Sequence, residues 1–368
     1  MKNQISVRQF TILVALFTAG NPVLLLPGTL VSKAGPDAWI ATGVSLVAGC
    51  LLVLLFHALY SRFPEQNLME IMEEVLGKWI GKIVALLFIL AYPLLLTALV
   101  LRDVGDFITS QPFPETPILA VEILFILVVM LGVHLGMEVM ARTAELFFPL
   151  SILLLLIWMF ALLPELQLDR LQPMLEKGFS PVWEASIILV GFPYLELVIF
   201  LMIMPLVNEK KKVRRGFLTG VVLGGAMIAV VTFYAVTALG VSYAAIKQYP
   251  AYELGQMISI EGFLERIEVI VAGFWLISIF VRAYISFFVL ISGFSSIFGI
   301  KDARSLIAPM GILVTVLSLH IIPNTSYLMR FTEKIWTPYG MIFGLFLPML
   351  LWGIGMLRKK SSQTNTSA

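Results

Sequence analysis

Apolar runs of about twenty residues recur along almost the whole chain, and a run of that length crosses the hydrocarbon of a bilayer as a helix. They fall near residues 9–31, 38–60, 80–101, 118–136 and 143–163, then near 182–207, 216–240, 265–293, 305–322 and 338–357. Composition agrees with this reading. Of 368 residues, 59% are hydrophobic and 13% charged, about half the charged share of an ordinary soluble domain. An all-α polytopic membrane protein of ten transmembrane helices is expected, in one transmembrane domain over 1–360. A short polar cytoplasmic tail, 361–368, reads as disordered.

The formal net charge is +2, with no basic stripe and interleaved aromatics of the kind nucleic acid requires. Where the charges lie matters more. With the N-terminus inside, sixteen Lys and Arg fall on the inner side and eight on the outer, so both termini are expected in the cytoplasm. Lys210, Lys211, Lys212, Arg214 and Arg215 anchor that orientation, while Arg102 is counted outside. The first run is too long for a signal peptide and reads as a retained span. Between the second and third runs, Leu68, Ile71, Met72, Val75, Leu76, Trp79, Ile80 and Ile83 recur at helical spacing with acidic residues between them. That pattern predicts an amphipathic helix on the membrane surface, Asn67 to Lys82.

Five crossings precede the sixth helix, so any structural repeat of the first half (about 9–163) in the second (about 182–357) is inverted. The opening helix of each half is interrupted, by Thr18-Ala19-Gly20-Asn21-Pro22 in the first and Gly191-Phe192-Pro193-Tyr194 in the second. Proline lacks a backbone donor and glycine tolerates unwinding. Irregular backbone in hydrocarbon is stable only when buried or lining a cavity. Two breaks at matched places point to a midplane binding site rather than to incidental kinks.

Glu196 and Arg282 lie about 14 and about 17 residues into the sixth and eighth runs, depths that allow an ion pair. Such a pair either locks the two helices or takes part in sensing a ligand. Glu122 and Glu145 lie near helix ends and read as interfacial or satisfied by packing, with Arg142 three residues before Glu145 as its partner. The Gly216, Gly220 and Gly224 spacing reads as a close helix-packing face. His57, His134 and His320 show no metal-ligand spacing, the lone Cys50 reads as a small buried hydrophobe, and no phosphate loop or nucleophile elbow is present. No enzymatic activity, metal or cofactor is expected.

Three stretches carry a resemblance to a known family. They are Ile5-Ser6-Val7-Arg8-Gln9 leading to Leu24-Leu25-Leu26-Pro27; Gly132 to Pro149, with Gly136, Glu138, Ala141, Arg142, Glu145 and Pro149 its most specific positions; and Glu261 to Glu268 followed by Trp275. Together they resemble the B subunit of the GerA-type spore germinant receptors, over nearly the whole chain. The first break, Gly20-Asn21-Pro22, departs from the glycine-rich G-x-G form frequent in that family. The resemblance implies the amino acid–polyamine–organocation transporter superfamily, whose LeuT-like fold is an inverted five-plus-five repeat with helices 1 and 6 broken. It also implies a place in the inner membrane of the bacterial endospore, A and C subunits as partners, and recognition of a small nutrient such as an amino acid or sugar.

Expected ligand contacts are Gly20, Asn21, Pro22 and Val23 of the first helix and Gly191, Phe192, Tyr194 and Leu195 of the sixth. Tyr92, Leu95 and Leu96, with Ser278 and Arg282, are the expected facing walls; Tyr92, before Pro93, either points inward at a kink or belongs to the core. Two functions fit such a pocket, a nutrient sensor that triggers germination and an ion-coupled amino-acid transporter.

Overall fold

The computed structural model describes residues 4–257, 268–321, 327 and 330–364, with the side chains of 332, 333 and 358–364 left undescribed. Residues 261–267 of the third resemblance stretch and the end of the tail, 365–368, lie outside the described residues. Helix α1 (Val7–Ala34) begins at a reciprocal cap, in which Gln9 N donates to Ser6 Oγ at 3.1 Å and Ser6 N to Gln9 Oε1 at 2.9 Å. The turn Gly35–Asp37 returns the chain into α2 (Ala38–Arg62). There follow α3 (Leu68–Leu76), α4 (Lys78–Ala91), α5 (Pro93–Ser110), α6 (Ile118–Leu135) and α7 (Met137–Ala161). The second half holds α8 (Ser180–Leu189), which continues irregularly to Met202, then α9 (Val213–Tyr234), α10 (Val241–Ala244), α11 (Pro250–Met257), α12 (Glu268–Phe298) and α13 (Ile307–Ile321). A last span runs over Lys334–Leu357.

Among the described residues nine stretches are long and apolar enough to cross a membrane, and the first, Val7–Arg62, contains both α1 and α2. Ten crossings result. Several boundaries differ from the sequence reading. The surface helix ends at Leu76, because Gly77 adopts φ 88°, which favours glycine. Leu68, Ile71, Met72 and Val75 of α3 are buried, whereas Trp79, Ile80 and Ile83 belong to the next span and face outward, Trp79 being 81% exposed. The third span continues past residue 101 to Ser110, so Arg102 lies within a helix, paired to Asp106 four residues on at 2.9 Å. That i,i+4 neutralisation lets a charged turn stay helical and largely buried. Helical backbone continues to Thr364, where a disordered tail from Ser361 was expected.

Helix α1 runs through the middle of the bundle, against α9, α12 and α8. Its most extensive contact is with α9, where the glycine row lets backbones meet. A Cβ on Gly220 would stand 2.7 Å from Thr11 O, and one on Gly224 would stand 2.7 Å from Ala15 O. Such close packing replaces the hydrophobic drive that lipid does not supply between helices. Helices α6, α7 and α13 are peripheral and present large apolar side chains outward, Leu124, Leu146 and Ile312 among them.

At the end of the bundle that carries the N-terminus, two of the resemblance stretches meet. Glu145 accepts from Arg8 Nε at 3.2 Å and from Gln9 Nε2 at 3.0 Å, while Arg142 turns to Glu138 at 2.6 Å. The expected Arg142–Glu145 pairing gives way because Glu138 occupies the i−4 position and Glu145 faces the start of α1. Of the two expectations for Glu122, interfacial or satisfied by packing, the structure shows the second: it is fully buried and accepts from Ser318 Oγ at 2.5 Å. Gly105 leaves it the room, since a Cβ there would come 3.0 Å from Glu122 Oε1. Cys50 is half-buried.

Candidate functional site

Both helix interruptions are present in the backbone. Within α1, Gly20 leaves helical geometry with φ 0° and ψ −118°; beyond α8, Phe192 does so with φ −140° and ψ 96°. Pro22 and Pro193 remove a donor on the C-terminal side of each break. Around the gap stand two buried polar groups of different character.

The first is a charged knot. Arg282 of α12 donates through Nη2 to Glu196 Oε2, and through Nη1 to Phe17 O at 2.9 Å. Its guanidinium lies between the rings of Phe17 and Phe192, 4.6 Å and 4.7 Å from their centroids. The other oxygen of Glu196 accepts from Trp336 Nε1 at 2.8 Å. Glu196 and Arg282 are both fully buried. A buried pair of this kind is costly to desolvate and costs about 3–5 kcal/mol to break from one side. The Gly20 break also makes room for it, because a Cβ there would come 2.9 Å from Arg282 Cδ.

The second group is the contact of Asn21 Nδ2 with Asp103 Oδ2, which joins α1 to α5. Asn21 and Asp103 are 1% and 6% exposed, and the remaining oxygen of each, Asn21 Oδ1 and Asp103 Oδ1, has no hydrogen-bond partner among the described residues. Both residues line a cavity whose wall also holds Leu26, Leu96, Leu99, Phe192, Glu196 and Trp336. Its free volume is about 50 Å³, well below the ~150 Å³ of an engineered cavity that admits benzene. On the side away from the N-terminus, Phe107 packs against Tyr249, Tyr252 and Trp275 with ring centroids 5.2, 5.3 and 4.6 Å away, and Gln248 reaches the cavity wall.

Of the expected contacts, Asn21, Leu96 and Phe192 stand in this wall, as does Glu196. Gly20 and Arg282 lie immediately behind it, and Tyr92, fully buried, stacks on Trp336 at 5.8 Å. The others lie elsewhere. Gly191 is pressed against Thr337, where a Cβ would fall 2.9 Å from Thr337 Cα. Tyr194 points away from the cavity, wedged against Gly49 of α2 and Gly225 of α9. Leu195 packs on Gly340 and Gly344 of the last span, and Val23 faces a separate crevice with Leu155 and Trp158. Ser278 is turned back on its own helix, donating to Phe274 O at 3.1 Å. Pro22 is buried and Leu95 half-buried, and neither lines the cavity.

Asp103 and Trp336 were missed. Ending the third span at 101 placed Asp103 in an outer loop, and starting the last at 338 excluded Trp336. The signal for Asp103 was its spacing: residues 96, 99, 100 and 103 share one helical face, and all four line the cavity. Among the described residues no group of three or more His, Cys, Asp or Glu could hold a metal ion.

Residues 4–326 match the family model described as spore germination protein. Spore germination protein KB of Bacillus subtilis (strain 168) is 30% identical over 369 residues, covering 98% of this chain and 96% of that protein. Spore germination protein YndE of the same organism is 25% identical, covering 98% and 99%. Among solved structures, the chain is similar to MhsT in complex with L-phenylalanine, with TM-score 0.68, 18% identity, and coverage of 92% of this chain and 88% of that one. A mutant of the Eremococcus coleocola manganese transporter gives TM-score 0.54 at 12% identity, covering 94% and 78%. At these identities the structural likeness shows the fold alone, a LeuT-like arrangement with helices 1 and 6 broken.

Proposed function

The chain belongs to the spore germination protein family, a family of receptor- and permease-like multi-pass membrane proteins, and on that premise we propose that it is the nutrient-sensing subunit of a spore germinant receptor. The single observation that carries the reading is the cavity at the broken helices, a mostly apolar wall in which Asn21 and Asp103 each hold a buried polar atom with no hydrogen-bond partner among the described residues. A small, mostly apolar site with a few convergent polar groups is the usual form of a small-molecule site. The MhsT complex with L-phenylalanine supports an amino acid as ligand.

The expected contacts keep this role in narrower form. Asn21, Leu96, Phe192 and Glu196 touch the nutrient, while Gly20, Tyr92 and Arg282 position those groups. Both termini lie in the cytoplasm, on the core side of the spore inner membrane, so the Gln248 side of the cavity faces outward. A and C subunits read the conformational change.

The cavity's size supplies a mechanism. At about 50 Å³ it holds water but not an amino acid, so binding must separate walls contributed by α1, α5, the broken sixth helix and the last span. A ligand that fits only the separated arrangement shifts the equilibrium toward it, which is what a sensor requires. The test is uptake of labelled amino acid by the purified chain in proteoliposomes, with binding measured on the same preparation. Saturable binding without ion-coupled accumulation is expected; accumulation by this chain alone would replace the sensor with a carrier.

A further inference from the structure

The two polar groups at the cavity differ in how much of their bonding capacity is already used. Glu196 has both oxygens engaged, by Arg282 and by Trp336. Its charge is met by the guanidinium beside it. Arg102, next to Asp103 in sequence, is committed to Asp106 at 2.9 Å. Asp103 has only the Asn21 amide, and among the described residues no cationic side chain pairs with it. Asn21 spends its amide donor on Asp103, so these two residues of the cavity wall retain Asp103 Oδ1 and Asn21 Oδ1, two buried acceptors with no donor bonded to them among the described residues.

Two buried acceptors, one of them a carboxyl group with no cation in salt-bridge contact among the described residues, call for a group that brings both donors and positive charge. We infer that Asp103, with Asn21 beside it, receives the ammonium group of an amine-bearing nutrient, so that the cavity selects protonated amines over their uncharged or hydroxyl analogues. This rests on the pocket reading above and adds to it the ligand's chemical class and the residue that sets it. A primary ammonium has three donors, enough for both oxygens with one left for a backbone carbonyl at the Gly20 break. A hydroxy acid of the same shape brings one donor and no positive charge at that position, which leaves the Asp103 carboxyl group buried without a cationic partner. The Leu26, Leu96, Leu99 and Phe192 surfaces suit a small apolar side chain on the same ligand.

The test uses the purified full-length chain in lipid nanodiscs, as wild type, Asp103→Asn and Asp103→Glu. Thermal stabilisation is measured with each of the common L-amino acids, their 2-hydroxy-acid analogues, glucose, and NaCl or KCl against choline chloride. The expected result is stabilisation of wild type by at least one amino acid and not by its hydroxy analogue. Asp103→Asn then binds that amino acid about 10- to 100-fold more weakly, the loss of one charge-assisted hydrogen bond, and Asp103→Glu recovers part of it. The ligand-free melting temperature of Asp103→Asn is unchanged or higher, since a buried carboxyl group without a salt-bridge partner among the described residues has gone.

Equal stabilisation by the hydroxy acid, by glucose, or of Asp103→Asn overturns the inference while leaving the pocket standing. Stabilisation by NaCl or KCl alone, lost in Asp103→Asn, also overturns it, by assigning the carboxylate to a metal cation. Stabilisation of wild type by none of the probes contradicts the sensor reading itself and takes this inference with it.

Discussion

The two broken helices occupy matching places in the two halves of the chain, yet their surroundings are opposite. At the first break Asn21 reaches the cavity with an oxygen still unpartnered, and its amide is tied to a carboxylate in the same condition. At the second break almost everything is spent. Gly191 is filled by Thr337, Tyr194 is wedged between two helices, and both oxygens of Glu196 are engaged. Phe192 and Glu196 still line the cavity, but the ring of Phe192 also covers Arg282 and the carboxylate of Glu196 is already bonded on both oxygens. Equivalent position in a repeat therefore fixes where backbone unwinds, and the neighbours decide whether the unwound segment recognises or merely holds.

Substitutions at the second break should accordingly cost stability. The largest effect is expected for Glu196→Ala, which leaves Arg282 buried and unpaired at about 3–5 kcal/mol, seen as loss of subunit from spore membranes. The double variant Glu196→Leu with Arg282→Met, which removes both charges, should restore much of that abundance. Gly191→Val comes next. Its new side chain meets Thr337 backbone, an overpacking of about 1–3 kcal/mol, whereas Gly20→Ala meets only the aliphatic stem of Arg282 and should cost less in the same melting measurement. Phe192→Leu removes one face of the ring pair around Arg282, about 1 kcal/mol or less, and should weaken nutrient binding about fivefold. Smallest is Tyr194→Phe. The ring stays wedged against Gly49 and Gly225 and the hydroxyl it removes lies away from the cavity, so both melting temperature and nutrient midpoint should remain near wild type.

Apolar run length and proline with glycine punctuation are local signals, which is why ten crossings and both breaks could be read directly from the sequence. The glycine row of α9 was legible for the same reason, because three glycines at a spacing of four must share one face. Side-chain direction at an irregular segment is a different matter. Once Phe192 leaves helical geometry, spacing no longer predicts where Tyr194 and Leu195 point, and both proved to face neighbouring helices. Charge misled in the third span. The Arg102, Asp103 and Asp106 cluster looks like a loop, and only its internal pairing shows how the helix absorbs it. Asp103, the carboxylate on which the ligand inference rests, was hidden by that boundary.

The central claim is that recognition resides at the first break, in this subunit's membrane core. It is tested most directly by the germination dose–response of spores carrying wild type, Asn21→Ala or Tyr194→Phe, with subunit abundance measured alongside. The account predicts a half-saturating nutrient concentration raised about tenfold in Asn21→Ala, the loss of roughly one charge-assisted hydrogen-bonding group, with normal abundance and with Tyr194→Phe unchanged. An unshifted midpoint in Asn21→Ala at normal abundance would contradict it and move recognition to a partner subunit.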